Sequence, residues 1–177
     1  LWQATRKLFE FEDHVLGTTL AGIELANPIG LAAGYDKNCL VLPSMAMLGF
    51  GYVVGGTITR NPRSGNPKPR VMRLKENEAL INSLGFPGVG LDATLASLSK
   101  TPFTNQNSKR ILSISGTEIS DILECHNSLE QYGSAIEVNI SSPNTAGLRI
   151  FQDPKHLVPL IEGINYSRSK PLFVKLP

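Results

Sequence analysis

Short apolar runs alternate with helix-length stretches along most of this chain, and that alternation constrains the fold more than any other feature. Strand-like runs bounded by Gly, Pro or Asn fall at 28–34, 52–59, 110–115, 135–140 and 172–176. Helix-compatible stretches lie between the last four, at 90–98, 118–132 and 154–164, the third opened by Asp153 as N-cap and Pro154 at the first helical position. Strand, helix, strand in that order predicts an α/β fold built on a parallel sheet with right-handed crossovers. Adjacent apolar residues such as Phe173 and Val174 suit a strand covered on both faces. Periodicity alone does not separate a barrel from an open, doubly wound sheet. Upstream, 14–20 and 22–26 read as a β-hairpin leading into the first strand of the sheet.

The chain has 177 residues, and a complete α/β barrel needs roughly 250. A barrel reading therefore predicts one domain over 1–177, holding about the first five strands, truncated at its C-terminus and at its N-terminus. The segment 60–86 is too long for an ordinary connection and carries Pro62, Gly65, Pro67 and Pro69. It reads as a functional lid or substrate loop.

Charge excludes more than it identifies. A formal net charge of +2 predicts no nucleic-acid partner. Two cysteines, Cys39 and Cys125, make neither a disulfide scaffold nor a metal site, so no metal and a reducing compartment are expected. His14, His126 and His156 are scattered, form no triad and read as surface or capping residues. Residues 38–59 carry no charge and reach the length of a membrane span. Pro43 and the glycines interrupt them, so a short helix followed by a buried strand is the expected structure. The N-terminus has no signal-peptide core, which points to a cytoplasmic location.

Polar residues cluster where strands end. Ala32, Ala33 and Gly34 leave the backbone bare for a flat ligand, and Lys37 follows with one positive charge. Close helix packing and a solvated turn would use the same residues. Gly55, Gly56 and Thr57 close the next strand in the same style without a dinucleotide fingerprint. The most informative stretch is NISSPNT at 139–145, at the strand end where α/β barrels carry their chemistry. Pro143 holds Ser142 extended, and the amides of Asn139 and Asn144 suit a ligand that presents both carbonyl and N–H edges. A polar Asx-type turn is the alternative. Lys175, in an apolar strand, either meets an electron-rich partner or snorkels outward.

Together the segments NPIGLAAGYDKN (27–38), GNPKPR (65–70), ALINSLGF (79–86), VNISSPNTAGLR (138–149) and VKLP (174–177) resemble the dihydroorotate dehydrogenase family, closest to its quinone-linked class. The resemblance implies a TIM (β/α)8 barrel with bound FMN that oxidises (S)-dihydroorotate to orotate in pyrimidine synthesis, with a quinone as acceptor. It places Ala32, Ala33, Gly34, Gly56, Thr57, Asn139 and Lys175 against FMN, and Lys37, Asn82, Asn139 and Asn144 on the substrate. Ser142 matches the catalytic base, where soluble members place Cys. Phe86 matches the aromatic beside that base, and Arg73 an arginine of the quinone tunnel. One stretch departs from the class, LSISGTE at 112–118, which is closer to soluble members, so the FMN contact usual there is not carried over. Peripheral membrane contact is implied through a segment upstream of this chain.

The residue types fit that chemistry. Oxidation across C5–C6 needs a base for the C5 proton and a flavin to accept hydride from C6. Serine serves as base only in a closed, dry pocket with a proton relay. Two alternatives stand beside this reading: a related FMN barrel acting on another dihydropyrimidine, and a non-catalytic barrel fragment. Phosphate grips in this fold come after strands 7 and 8, so weak FMN retention is expected of the chain by itself.

Overall fold

The computed structural model describes residues 8–105, 107–142 and 147–177. A 3-10 turn at His14–Leu16, capped by the Asp13 carboxylate, precedes the antiparallel hairpin β1 (Thr18–Leu20) and β2 (Ile23–Leu25). The expected hairpin is present, although its first strand begins only at Thr18.

Five strands then form one parallel sheet in chain order: β3 (Gly30–Asp36), β4 (Tyr52–Ile58), β7 (Lys109–Ile114), β8 (Ala135–Asn139) and β9 (Leu172–Lys175). Helices α1 (Leu42–Ala46), α2 (Leu91–Leu98), α3 (Ile119–Leu129) and α4 (Pro154–Ser167) occupy the crossovers. The last starts as its sequence predicts, with Lys155 N donating to Asp153 Oδ1 at 2.9 Å.

Alternation along the strands sorts the side chains into two layers. Leu112, Ile114, Ile136 and Val138 point outward and are buried against Ile122, Cys125, Leu129, Leu160 and Ile164 of the helices. Each such side chain contributes about 1.5–3 kcal/mol by leaving water. The intervening residues face the other way, where Val54, Ile111 and Ala135 form a smaller cluster with Ala33 and Phe173. Continuing along this inner face toward the C-terminal strand ends, the apolar residues give way to Ser113, Glu137 and Asn139.

Two expectations change and a third is met. The 60–86 segment, expected as a lid or substrate loop, has strand structure of its own, an antiparallel hairpin of β5 (Val71–Leu74) paired with β6 (Ala79–Asn82). Asn66 fastens it, its backbone N donating to Leu84 O at 3.0 Å and its Nδ2 to Ser83 O at 2.8 Å. At the base, Arg63 and Gly88 exchange two backbone bonds of 2.9 Å. His126 is buried, not a surface residue, because it shares with Ile122, Cys125 and Leu129 the stripe of α3 that faces the sheet. Its Nε2 lies 3.8 Å from Glu130 Oε1. As expected, 38–59 holds the short helix α1 and the buried strand β4, and among the described residues no helix is long and apolar enough to cross a membrane.

Candidate active site

A cavity of about 190 Å³ opens at the C-terminal ends of β3, β4 and β8. Liquid water takes up about 30 Å³ per molecule, so the space is sized for a small organic ligand rather than for one or two ordered waters. Ala33, Gly34, Lys37, Thr57, Asn82, Phe86, Asn139 and Ser142 line it, as do Leu84, Gly85 and Pro87. Eight residues singled out from sequence thus converge from four separate segments.

Asn139 organises the floor. It is 5% exposed, and a buried amide must be hydrogen-bonded or cost stability. Its Oδ1 accepts from Ser141 N at 3.1 Å and from Ser141 Oγ at 2.7 Å, while Nδ2 donates to Thr57 Oγ1 at 3.0 Å. Thr57 Oγ1 is in turn 3.0 Å from Ser113 Oγ, and Ser115 Oγ donates to the Asn139 carbonyl at 2.7 Å. These bonds use one of the two Nδ2 hydrogens, and the other is available to a ligand. Lys175 is the register partner of Asn139 on β9 and shares its face of the sheet.

The rim carries the charge. Lys37 Nζ donates to the Gly34 carbonyl, which folds the ammonium back over the bare end of β3. Asp36 fixes the turn by accepting from Leu40 N and Val41 N at 2.9 and 2.7 Å. Gly34 has φ +111, and a Cβ there would meet nothing within 4 Å, so the space above the strand end is open to a flat molecule. The hairpin supplies the opposite wall, with Asn82 at the end of β6 and Phe86 beyond it. Phe86 holds φ +54, a left-handed conformation that costs a bulky residue of order 1–3 kcal/mol and is typical of functional sites.

Other expected site residues fall outside this cavity. Ala32 is exposed on β3, Gly56 is buried next to Thr57, and Asn144 lies outside the described residues. Arg73 stands exposed on β5 and lines a separate surface cavity with Leu74, Lys75, Glu78, Ala79 and Leu80. Sequence reasoning missed Ser113 and Ser115. Their alternation with Leu112 and Ile114 is the signal, since it turns both hydroxyls to the inner face just where the family motif is broken. The cysteines are structural: burial pushes both thiols up to about 12, with Asp36 adding to the effect at Cys39 and Asp121 at Cys125.

Parallel strands, an outer helix layer and polar groups gathered at the strand ends define a partial TIM barrel of the α/β class, with its candidate site where such barrels carry theirs. Within that class the chain belongs to the dihydroorotate dehydrogenase family, whose model matches residues 15–177. It is 39% identical over 165 residues to a dihydroorotate dehydrogenase (quinone) of Salinispora arenicola, covering 89% of this chain and 48% of that protein. A protein of the same name from Acinetobacter baumannii (strain SDF) is 42% identical over 151 residues, covering 83% and 45%. A crystal structure of DHODH from Eimeria tenella in complex with ferulenol superimposes with a TM-score of 0.87 at 30% identity, covering 99% of this chain and 56% of that one. The chain spans about half the length of the curated relatives it matches.

Proposed function

We propose that this chain forms the flavin and substrate site of a dihydroorotate dehydrogenase, which oxidises (S)-dihydroorotate to orotate in pyrimidine biosynthesis and passes the electrons to a quinone. The observation that carries the reading is the convergence of Lys37, Asn82, Asn139 and Ser142 on one cavity beside a bare strand end. The family and the names of the relatives agree with it.

The site suits a flavin. Open space over Gly34, the hydroxyl of Thr57 and the unspent Asn139 N–H match a planar ring with carbonyl and N–H edges. FMN would rest against Ala32, Ala33, Gly34, Gly56, Thr57 and Asn139, with Lys175 placing positive charge beside it. When bound, it supplies the hydride acceptor.

The chain's own groups do the rest. Lys37 meets the substrate carboxylate. The neutral amides of Asn82, Asn139 and Asn144 orient the ring without burying another charge. Ser142 takes the C5 proton, and Phe86 and Pro87 shield that step from water. Arg73, away from the cavity, is assigned to the quinone route. On this reading the protein works at the cytoplasmic side of a membrane, in peripheral contact with it.

The test is flavin reduction by (S)-dihydroorotate at saturating FMN, with dihydrouracil for comparison. Reduction by dihydroorotate alone is expected, because Lys37 has no carboxylate to meet in dihydrouracil. Ser142→Ala should slow reduction by about 10²-fold or more while FMN stays bound. Unchanged reduction in that variant would remove Ser142 as base, and equal rates with both substrates would overturn the assignment of Lys37.

A further inference from the structure

Glu137 is a charged residue on the inner face of β8, one strand repeat below Asn139. Its neighbours Ile136 and Val138 point into the helix layer, so Glu137 faces the interior together with Ala135 and Asn139. Its register partners are Ser113 on β7 and Phe173 on β9. The Oε1 atom is buried and has no hydrogen-bond partner. Ser113 already bonds to Thr57, and Phe173 offers no donor.

A cation lies close by on this face. Lys175 stands two residues beyond Phe173, opposite Asn139, which makes it the diagonal neighbour of Glu137 and within reach of a long side chain. Among the described residues neither group has another ionic partner. Lys175 sits half-buried on a strand otherwise composed of Leu172, Phe173 and Val174, none of which has a side chain that could accept from its ammonium. A rotation of the flexible lysine stem would carry the ammonium toward Oε1.

We infer that Glu137 is a positioning residue for Lys175, the counter-ion that draws the ammonium across the inner face beside Asn139. The consequence for the cofactor rests on the function proposed above: Glu137 would set where the positive charge of Lys175 stands against a bound flavin. Ser113, Ala135, Asn139 and Phe173 surround the carboxylate on this face and bring no competing charge.

Titration of Lys175 by NMR of 13C-labelled lysine in the flavin-free protein tests the pair directly. Glu137→Gln should lower the Lys175 pKa by about one unit, a tenfold loss of proton affinity, and Glu137→Asp by less. An unshifted Lys175 would overturn the inference. Should Glu137→Gln fail to fold, Glu137→Asp decides by the same sign. In the FMN-loaded protein, the midpoint potential of Glu137→Gln plotted against pH should show a new break at the lowered Lys175 pKa. Absence of that break would overturn the link to the flavin. A wild-type protein that takes up no FMN even at saturating concentration would instead overturn the proposed function, with the lysine titration still deciding the ion pair.

Discussion

Replacing Asn139 with Ala should cost about 3 kcal/mol of folding stability, because three side-chain hydrogen bonds disappear and each contributes about 1 kcal/mol net. The bonds lost are those from Ser141 N, from Ser141 Oγ and to Thr57 Oγ1. Thr57 and Ser113 keep one another, and half-buried Ser141 can turn to water, so the loss should not run beyond the three bonds. For a chain of this size that corresponds to a fall in Tm of about 6–12 °C. Urea unfolding followed by far-UV circular dichroism gives the energy. A double-mutant cycle with Thr57→Val isolates the Asn139–Thr57 bond, for which the expected coupling is about 1 kcal/mol. A loss below about 1 kcal/mol for Asn139→Ala, or strict additivity with Thr57→Val, would refute the claim that this amide ties β8 to β4.

Three further outcomes follow from the packing. Glu130 receives Ser169 N, Lys170 N and Ser169 Oγ at 2.7, 2.8 and 3.1 Å; burial pushes its pKa up, but these donors outweigh it and hold it below the ordinary value. Its bonds therefore contribute fully above the unfolded-state value near 4.3 and are lost as pH falls through the lower folded-state pKa, so Glu130→Gln should lose about 2 kcal/mol at pH 7 and progressively less in acid titrations of stability. Cys39 and Cys125 should be inert to a thiol reagent in the native protein and both react in denaturant, whereas fast native labelling would contradict their burial. Gly51→Ala should destabilise by more than about 2 kcal/mol, since the added Cβ would lie 1.9 Å from the Asn27 carbonyl oxygen; a neutral effect in thermal unfolding would contradict the close approach of β4 to that turn.

Much of the fold was legible because burial writes its own period. Ile111 and Ser113 alternate with Leu112 and Ile114, and Ile122, Cys125, His126 and Leu129 recur at helical spacing, which already predicts a buried His126 to a reader who counts it within the stripe. The β5–β6 hairpin was hidden for the converse reason. Val71, Met72, Leu80 and Ile81 are all exposed, so no two-faced pattern marks the strands, and the turn passes through Glu78 at φ +48 instead of an Asn-Gly pair. In the site, strand-end position and family resemblance together picked out Lys37, Asn139 and Ser142. Phe86's left-handed backbone leaves no trace in residue type, since a bulky aromatic does not favour that conformation by itself.

The two backbone bonds between Arg63 and Gly88 make everything from 64 to 87 a cassette that leaves the scaffold and returns to the same point. Asn82 and Phe86 travel on that cassette, whereas Asn139, Thr57 and Lys175 belong to the sheet. Recognition on one side of the ligand can therefore be exchanged, by evolution or by grafting a hairpin from a relative, without re-registering a single strand of the parallel sheet.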